Sequence, residues 1–174
     1  MDVQRSIVER FGHDAEYLPR LGRAITTARA AGVPVIHVVV GFRPGHPEVS
    51  AHNRSFAAIA GSGGFTQADP GSEIHPDVAP TADDVVVTKR RVSAFAGSDL
   101  DVVLRSADVR DLVLAGIATS GVVLSTVRQA ADLDFGLTVL ADGCLDADPE
   151  VHRVLTEKVF PRQADVTTVE GWAP

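Results

Sequence analysis

The stretch Leu112-Val113-Leu114-Ala115-Gly116-Ile117-Ala118-Thr119-Ser120-Gly121-Val122-Val123 decides how the chain is read. It begins as an apolar run without polar alternation, the pattern of a strand covered on both faces in a parallel sheet. It passes through Gly116 and the Thr119-Ser120 pair into a helical pattern from Val122 to Phe135, with Gly136 as the expected stop. A strand that turns directly into a helix leaves backbone N–H groups free at the helix start, where they can hold an anion or a developing oxyanion. The same residues also fit an ordinary N-cap by Thr119 or Ser120.

Similar units lie on either side. Val33 to Val40, Val85 to Thr88, Leu137 to Leu140 and Val166 to Val169 read as further strands. Leu18, Leu21, Ala24, Ile25 and Ala28 make one apolar helix face before Gly32. Ser98 with Asp101 has the spacing of a capping box for a helix carrying Leu100, Val103 and Leu104. Asp148-Pro149 opens a helix that runs towards Phe160. Strands alternating with helices imply right-handed βαβ units, hence an α/β fold with a parallel sheet between two helical layers. Gly41 to Pro80 breaks the alternation. It holds six Gly and five Pro, and reads as a long excursion with a short helix around Asn53 to Ala60. Such excursions are often lids or partner surfaces. The sequence opens at Met1-Asp2, so the first strand is expected to be short or missing, or an upstream segment is absent from this sequence.

Bulk properties narrow the function. A length of 174 residues fits one domain, 1–174, and 45% hydrophobic residues is a globular level. A net charge of -7, with no basic stripe and only 5% aromatic residues, disfavours nucleic acid and an anionic membrane as partners. Cys144 is the single cysteine, which excludes an internal disulfide and a cysteine-rich zinc site. No apolar run approaches a membrane span, and Met1-Asp2-Val3-Gln4-Arg5 carries no signal-like segment, so a cytoplasmic location is expected.

Ligands of open parallel sheets bind beyond the carboxyl ends of the strands. That rule nominates Gly41 to Arg43, Thr88 to Arg91, Gly116 to Gly121 and Asp142 to Asp146, with Asp2 beside them if Met1 ends a first strand. Lys89 directly follows an apolar strand, and a lysine near the core needs an anion. Asp2 is the obvious partner, although Arg90-Arg91 beside Lys89 also fits a solvated loop.

Met1-Asp2-Val3-Gln4, Lys89 with Ser93 to Leu100, Leu112 to Ala131, and the Asp142 region followed by His152 together resemble the isochorismatase-like hydrolase superfamily, the cysteine hydrolases. The resemblance covers nearly the whole chain and implies a Rossmann-like three-layer αβα sandwich with a six-stranded parallel sheet. It implies an Asp-Lys-Cys triad in which Asp2 and Lys89 take the first two places as catalytic residues. The family turn runs roughly Gly-Val-Ala-Thr-Asp-x-Cys-Val, which puts Val122 at the cysteine position. Valine has no lone pair, so the covalent amidase route has no nucleophile there. By resemblance, the isochorismatase branch also lacks this cysteine and hydrolyses a vinyl ether, its Asp acting as general acid. Asp2 fits that role if burial raises its pKa against the pull of Lys89.

Among other nucleophiles, Ser120 would need a base within hydrogen-bond reach, Ser125 reads as packing, and Cys144 is either a small buried residue or a thiol at the correct sheet edge. Ile117, Ala118 and Val122 would line the pocket. Phe95 and Phe42 would stack on a substrate ring or pack in the core, and Arg43, Arg90 or Arg91 would grip a carboxylate. The resemblance further implies a cis peptide at Ile117-Ala118 and a homo-oligomer, dimer or tetramer. Metal-holding relatives use an Asp and two His from the excursion. His37, His46, His52 and His75 lack that arrangement, His37 reading as a core histidine, His46 as an exposed turn residue and His152 as a helix-surface residue, so neither metal nor cofactor is expected. Two readings follow: a small-molecule hydrolase using Asp2 and Lys89 without a covalent cysteine intermediate, or an inactive member that binds a metabolite or serves as an assembly partner.

Overall fold

The computed structural model describes residues 1–11 and 14–174. Its elements in chain order are α1 (Arg5–Phe11), α2 (Tyr17–Ala30), β1 (Ile36–Val40), α3 (Arg54–Ser62), β2 (Val85–Lys89), α4 (Leu100–Ser106), β3 (Asp111–Ile117), α5 (Leu124–Asp132), β4 (Gly136–Leu145), α6 (Pro149–Val154) and β5 (Asp165–Thr167). All strand pairs are parallel: β1 with β2, and β3 with β4 with β5. This is the expected α/β architecture, with α2 on one face of the sheet and α4 and α5 on the other. No helix among the described residues is long and apolar enough to cross a membrane.

The two groups of strands are joined through residues 1–3. Asp2 N donates to Val38 O of β1 at 2.7 Å, while Met1 N donates to Ala115 O at 2.9 Å and Ile117 N to Met1 O at 3.2 Å on the β3 side. Met1-Asp2 therefore lies between β1 and β3, hydrogen-bonded to both, where a first strand was expected to be short or missing, and no regular strand is formed there. Gly116 permits the approach: its φ is +148°, and a Cβ there would lie 2.2 Å from Met1 O.

Several helix ends differ from expectation. The capping box of Ser98 and Asp101 does not form, because the N-cap position falls on Asp99. Ser98 Oγ instead bridges Ala94 O and Leu100 N, and Asp101 pairs with Arg105 one turn later. The helix after the turn begins at Leu124 rather than Val122, preceded by a wide turn over Thr119–Val123 that is broken at Gly121. It is stopped by Asp134 in the left-handed region (φ 64°), and Gly136 opens β4 rather than ending the helix. By contrast, Gly32 (φ 71°) follows α2 and Asp148 caps α6 with Pro149 at its first position, as read, and the short helix expected around Asn53 to Ala60 is α3, with Asn53 as its cap. Helix α1 had no apolar periodicity to reveal it; only Val8 of its seven residues is buried.

β4 is longer than its apolar run. It advances from Val139 to Cys144 while β3 advances only from Leu114 to Gly116, so residues 140–143 bulge out. Asp142 pins the bulge by accepting from Val169 N at 2.7 Å and, through its carbonyl, from Arg20 at 3.0 Å. Cys144 thus lies within the strand, not just beyond it.

The excursion is tied down by Gln4, which is fully buried. Its Nε2 donates to Val40 O and Ser72 O at 2.9 and 2.8 Å, and its Oε1 accepts from Val40 N at 2.9 Å. Replacing Gln4 by Ala strands two buried backbone groups of Val40, at a cost of about 2–4 kcal/mol. Urea denaturation of Gln4→Ala is therefore expected to show a clear loss of stability, and its Tm to fall by about 5–10 °C.

Candidate active site

The carboxyl ends of β1, β2 and β3 converge on Asp2, as the sequence nominated. Lys89 Nζ stands 2.9 Å from Asp2 Oδ2 and also donates to Arg91 O at 2.9 Å. Lys89 is 2% exposed and Asp2 6%, so the pair is sealed from solvent. Asp2 Oδ1 is buried without a hydrogen-bond partner. Burial raises the Asp2 carboxyl above its ordinary pKa, outweighing the opposing charge and hydrogen bond of Lys89. Asp2 holds a left-handed backbone (φ 56°), a strained conformation for a non-glycine residue, at the point where its amide joins β1.

Ile117 and Ala118 adjoin this pair through the Ile117 N to Met1 O hydrogen bond, and the peptide between them is cis. The turn that follows does not present the set of free donors its sequence invited. Ser120 N donates to Asp146 Oδ2 at 2.7 Å, and Gly121 N and Val123 N both bond Ala118 O. The anion held at this turn is the protein's own Asp146. Thr119 Oγ1 lies 2.8 Å from His152 Nδ1, so His152 is half-buried and supports the turn instead of standing on a helix surface. Burial lowers its pKa, with Asp146 pulling upwards. Strand-end placement had nominated Asp146, but its contact with Ser120 and that of His152 with Thr119 were not legible, since each reaches the turn from beyond β4.

Val122 is 2% exposed and packs in the main core with Val123, Phe95 and Cys144. Phe95 lies 6.0 Å from Phe135, ring to ring. Phe42 sits in a separate cluster with Phe56, at 5.6 Å, and His46, at 5.3 Å. His46 is 7% exposed and bonds Gly64 O through Nε2 at 2.8 Å, so it is a buried strut of the excursion rather than an exposed turn residue. The arginines are also engaged. Arg43 Nη1 meets Glu48 Oε1 at 2.6 Å, Arg90 bonds Gly41 O, and Arg91 donates to Glu48 O at 2.9 Å. Among the described residues, no cluster of three His, Cys, Asp or Glu side chains has the proximity to hold a metal ion.

The Isochorismatase domain family matches residues 1–171. An uncharacterized isochorismatase family protein of Escherichia coli O157:H7, YecD, is 32% identical over 177 residues, covering 98% of this chain and 90% of the relative. The ureidoacrylate amidohydrolase RutB of Pseudomonas syringae pv. syringae is 31% identical over 89% of this chain, which spans 66% of that enzyme. Among solved structures, a cysteine hydrolase from Pseudomonas syringae pv. phaseolicola superposes with a TM-score of 0.88 at 24% identity, over 97% of this chain and 86% of that one. An isochorismatase family protein from Burkholderia thailandensis gives 0.81 at 27% identity, over 97% and 88%. The chain belongs to the isochorismatase family.

Burial pushes the Cys144 thiol up to about 12, so it stays protonated and unreactive at neutral pH. A disulfide reagent added at pH 8 is expected to leave the native protein unlabelled and to modify Cys144 once the chain is unfolded in urea. Rapid labelling of the native protein would show an accessible thiolate instead.

Proposed function

We propose that this isochorismatase-family protein hydrolyses a small molecule by acid–base chemistry at Asp2, supported by Lys89, without a covalent cysteine intermediate. The observation that carries the reading is the state of Asp2: one oxygen is held by Lys89, the other is buried and unpartnered, and burial favours the protonated carboxyl. Such a carboxyl is an acid in want of an acceptor. If Val122 stands at the family's cysteine position, the neighbouring turn supplies no nucleophile, and the buried Cys144 offers no thiolate in its place. The substrate classes to test are vinyl ethers and small ureido or carbamoyl acids, the latter because of the ureidoacrylate amidohydrolase relatives. With a vinyl ether, Asp2 would deliver its proton to the enol-ether carbon, water would add to the resulting oxocarbenium carbon and return a proton to Asp2, and the hemiketal so formed would collapse by breaking its C–O bond to the ether group, the hydroxyl proton passing to the departing oxygen, to release an alcohol and a carbonyl compound.

A second reading rests on one observation. Asp2 and Lys89 are both sealed, and Glu48 already occupies the arginines that would grip a carboxylate. These contacts favour an inactive member that binds a metabolite or serves as an assembly partner.

Turnover of a panel of vinyl ethers, amides and carbamoyl compounds separates the two. In the hydrolase reading, Asp2→Asn lowers kcat/KM by about 100-fold or more. The wild-type rate also falls as pH rises through the raised Asp2 pKa, because the acid form is the active one. Turnover unchanged in Asp2→Asn removes Asp2 from the chemistry, and no turnover of any panel member by folded wild-type protein favours the inactive reading.

A further inference from the structure

The turn over Thr119–Val123 is gripped from one short stretch of chain, residues 146–152. Thr119 is fully buried, and its hydroxyl has one partner among the described residues, His152 Nδ1 at 2.8 Å. The ring's other nitrogen, Nε2, bonds no protein group among the described residues. A neutral ring with its proton on Nε2 accepts the Thr119 O–H at Nδ1, and every proton of the contact is satisfied. An imidazolium carries a proton on Nδ1 as well. It can only donate to the Thr119 oxygen, which leaves the hydroxyl proton without an acceptor in a sealed position.

A second grip falls on the next residue. Asp146 Oδ2 accepts from Ser120 N at 2.7 Å, while its Oδ1 reaches Asp148 N at 3.4 Å. Asp148 is spent on the start of α6, where it accepts from Glu150 N and Val151 N at 2.9 and 3.4 Å. On α6 itself, Arg153 pairs with Glu150 and with Glu157 of the following turn, each at 2.7 Å. Lys158 beyond them is exposed, and Thr119–Val123 carries no ionisable side chain. Asp146 is thus the free carboxylate that acts on the His152 ring, and it favours the charged form. An imidazolium therefore competes with Ser120 N for Asp146.

We propose that His152 is a positioning residue whose proton state latches this turn. The neutral ring holds the Thr119 hydroxyl and leaves Asp146 on Ser120 N; the imidazolium gives up the hydroxyl proton and draws Asp146 away. Gly121 N and Val123 N both hang on Ala118 O, so release at Thr119 and Ser120 loosens the peptide that follows Ile117, beside Asp2. The latch is closed at neutral pH and opens as pH falls. Burial disfavours the imidazolium and outweighs Asp146, so opening lies below the ordinary histidine range. The inference rests on the turn and goes beyond the hydrolase reading; it holds whether or not Asp2 carries out acid–base chemistry.

The test is amide hydrogen exchange of the whole chain between about pH 7.5 and about pH 5, with the His152 ring followed by NMR over the same range. In the wild type, protection factors at Ser120 and Gly121 are expected to fall by about 10-fold as the ring titrates, while those at Val38 and Val139 in the sheet stay constant. In His152→Gln, the side-chain oxygen still accepts the Thr119 hydroxyl but takes up no proton, so protection stays high and the step disappears. In His152→Leu, which has no acceptor, protection at Ser120 and Gly121 is low at every pH. Thr119→Val removes the hydroxyl that favours the neutral ring, and the ring then titrates at higher pH. A step of equal size in His152→Gln would overturn the latch, as would a wild-type ring that titrates while Ser120 stays protected. Protection in His152→Leu equal to wild type at neutral pH would remove His152 from the positioning of the turn.

Discussion

Three backbone hydrogen bonds hold the sheet together across its middle. They run from Asp2 to Val38, from Met1 to Ala115 and from Ile117 to Met1, and they are the main-chain link between the β1–β2 and β3–β4–β5 groups. Everything at the carboxyl edge inherits its geometry from them. Asp2 faces Lys89 because its amide is fixed to β1, whose other neighbour, β2, ends at Lys89. Ile117 and Ala118 stand beside Asp2 because β3 is fixed to Met1. A buried Asp–Lys contact built on such a narrow link is costly to break, so the contact and the link constrain each other.

The site around this pair is already furnished by the protein itself. Asp146 occupies the Ser120 amide, and Glu48 occupies Arg43 and lies near Arg90. Both carboxylates satisfy donors that the sequence had left open for an anion. Exchanging either for another anion trades one charge-assisted hydrogen bond for another at little net gain.

The parts of this arrangement legible in the sequence were those written in local chemistry. The apolar runs gave the strands, Gly32, Asn53 and Asp148-Pro149 gave helix ends, and Asp2 with Lys89 emerged from strand-end placement together with family resemblance. What stayed hidden depends on distant parts meeting. His152 supports Thr119 across 33 residues, and Gln4 reaches Val40 and Ser72 across 36 and 68. The β4 bulge left no trace because Ala141-Asp142-Gly143 reads as an ordinary strand exit, and only pairing with Gly116 brings Cys144 back into the ladder. Gly136 misled for a related reason. A glycine after a helix pattern reads as a stop, but Asp134 had already taken the left-handed position.

Gln4 carries one more implication. Its amide imitates a peptide group: oxygen to the Val40 N–H, nitrogen to two carbonyls, so its orientation is fixed by its partners. Chemical ageing of that one amide to a carboxylate would turn a donor into an acceptor and set a negative charge against the Val40 and Ser72 carbonyl oxygens. Deamidation is usually thought of as a surface lesion of flexible loops. In this protein a sensitive target is a fully buried amide held between β1 and the excursion.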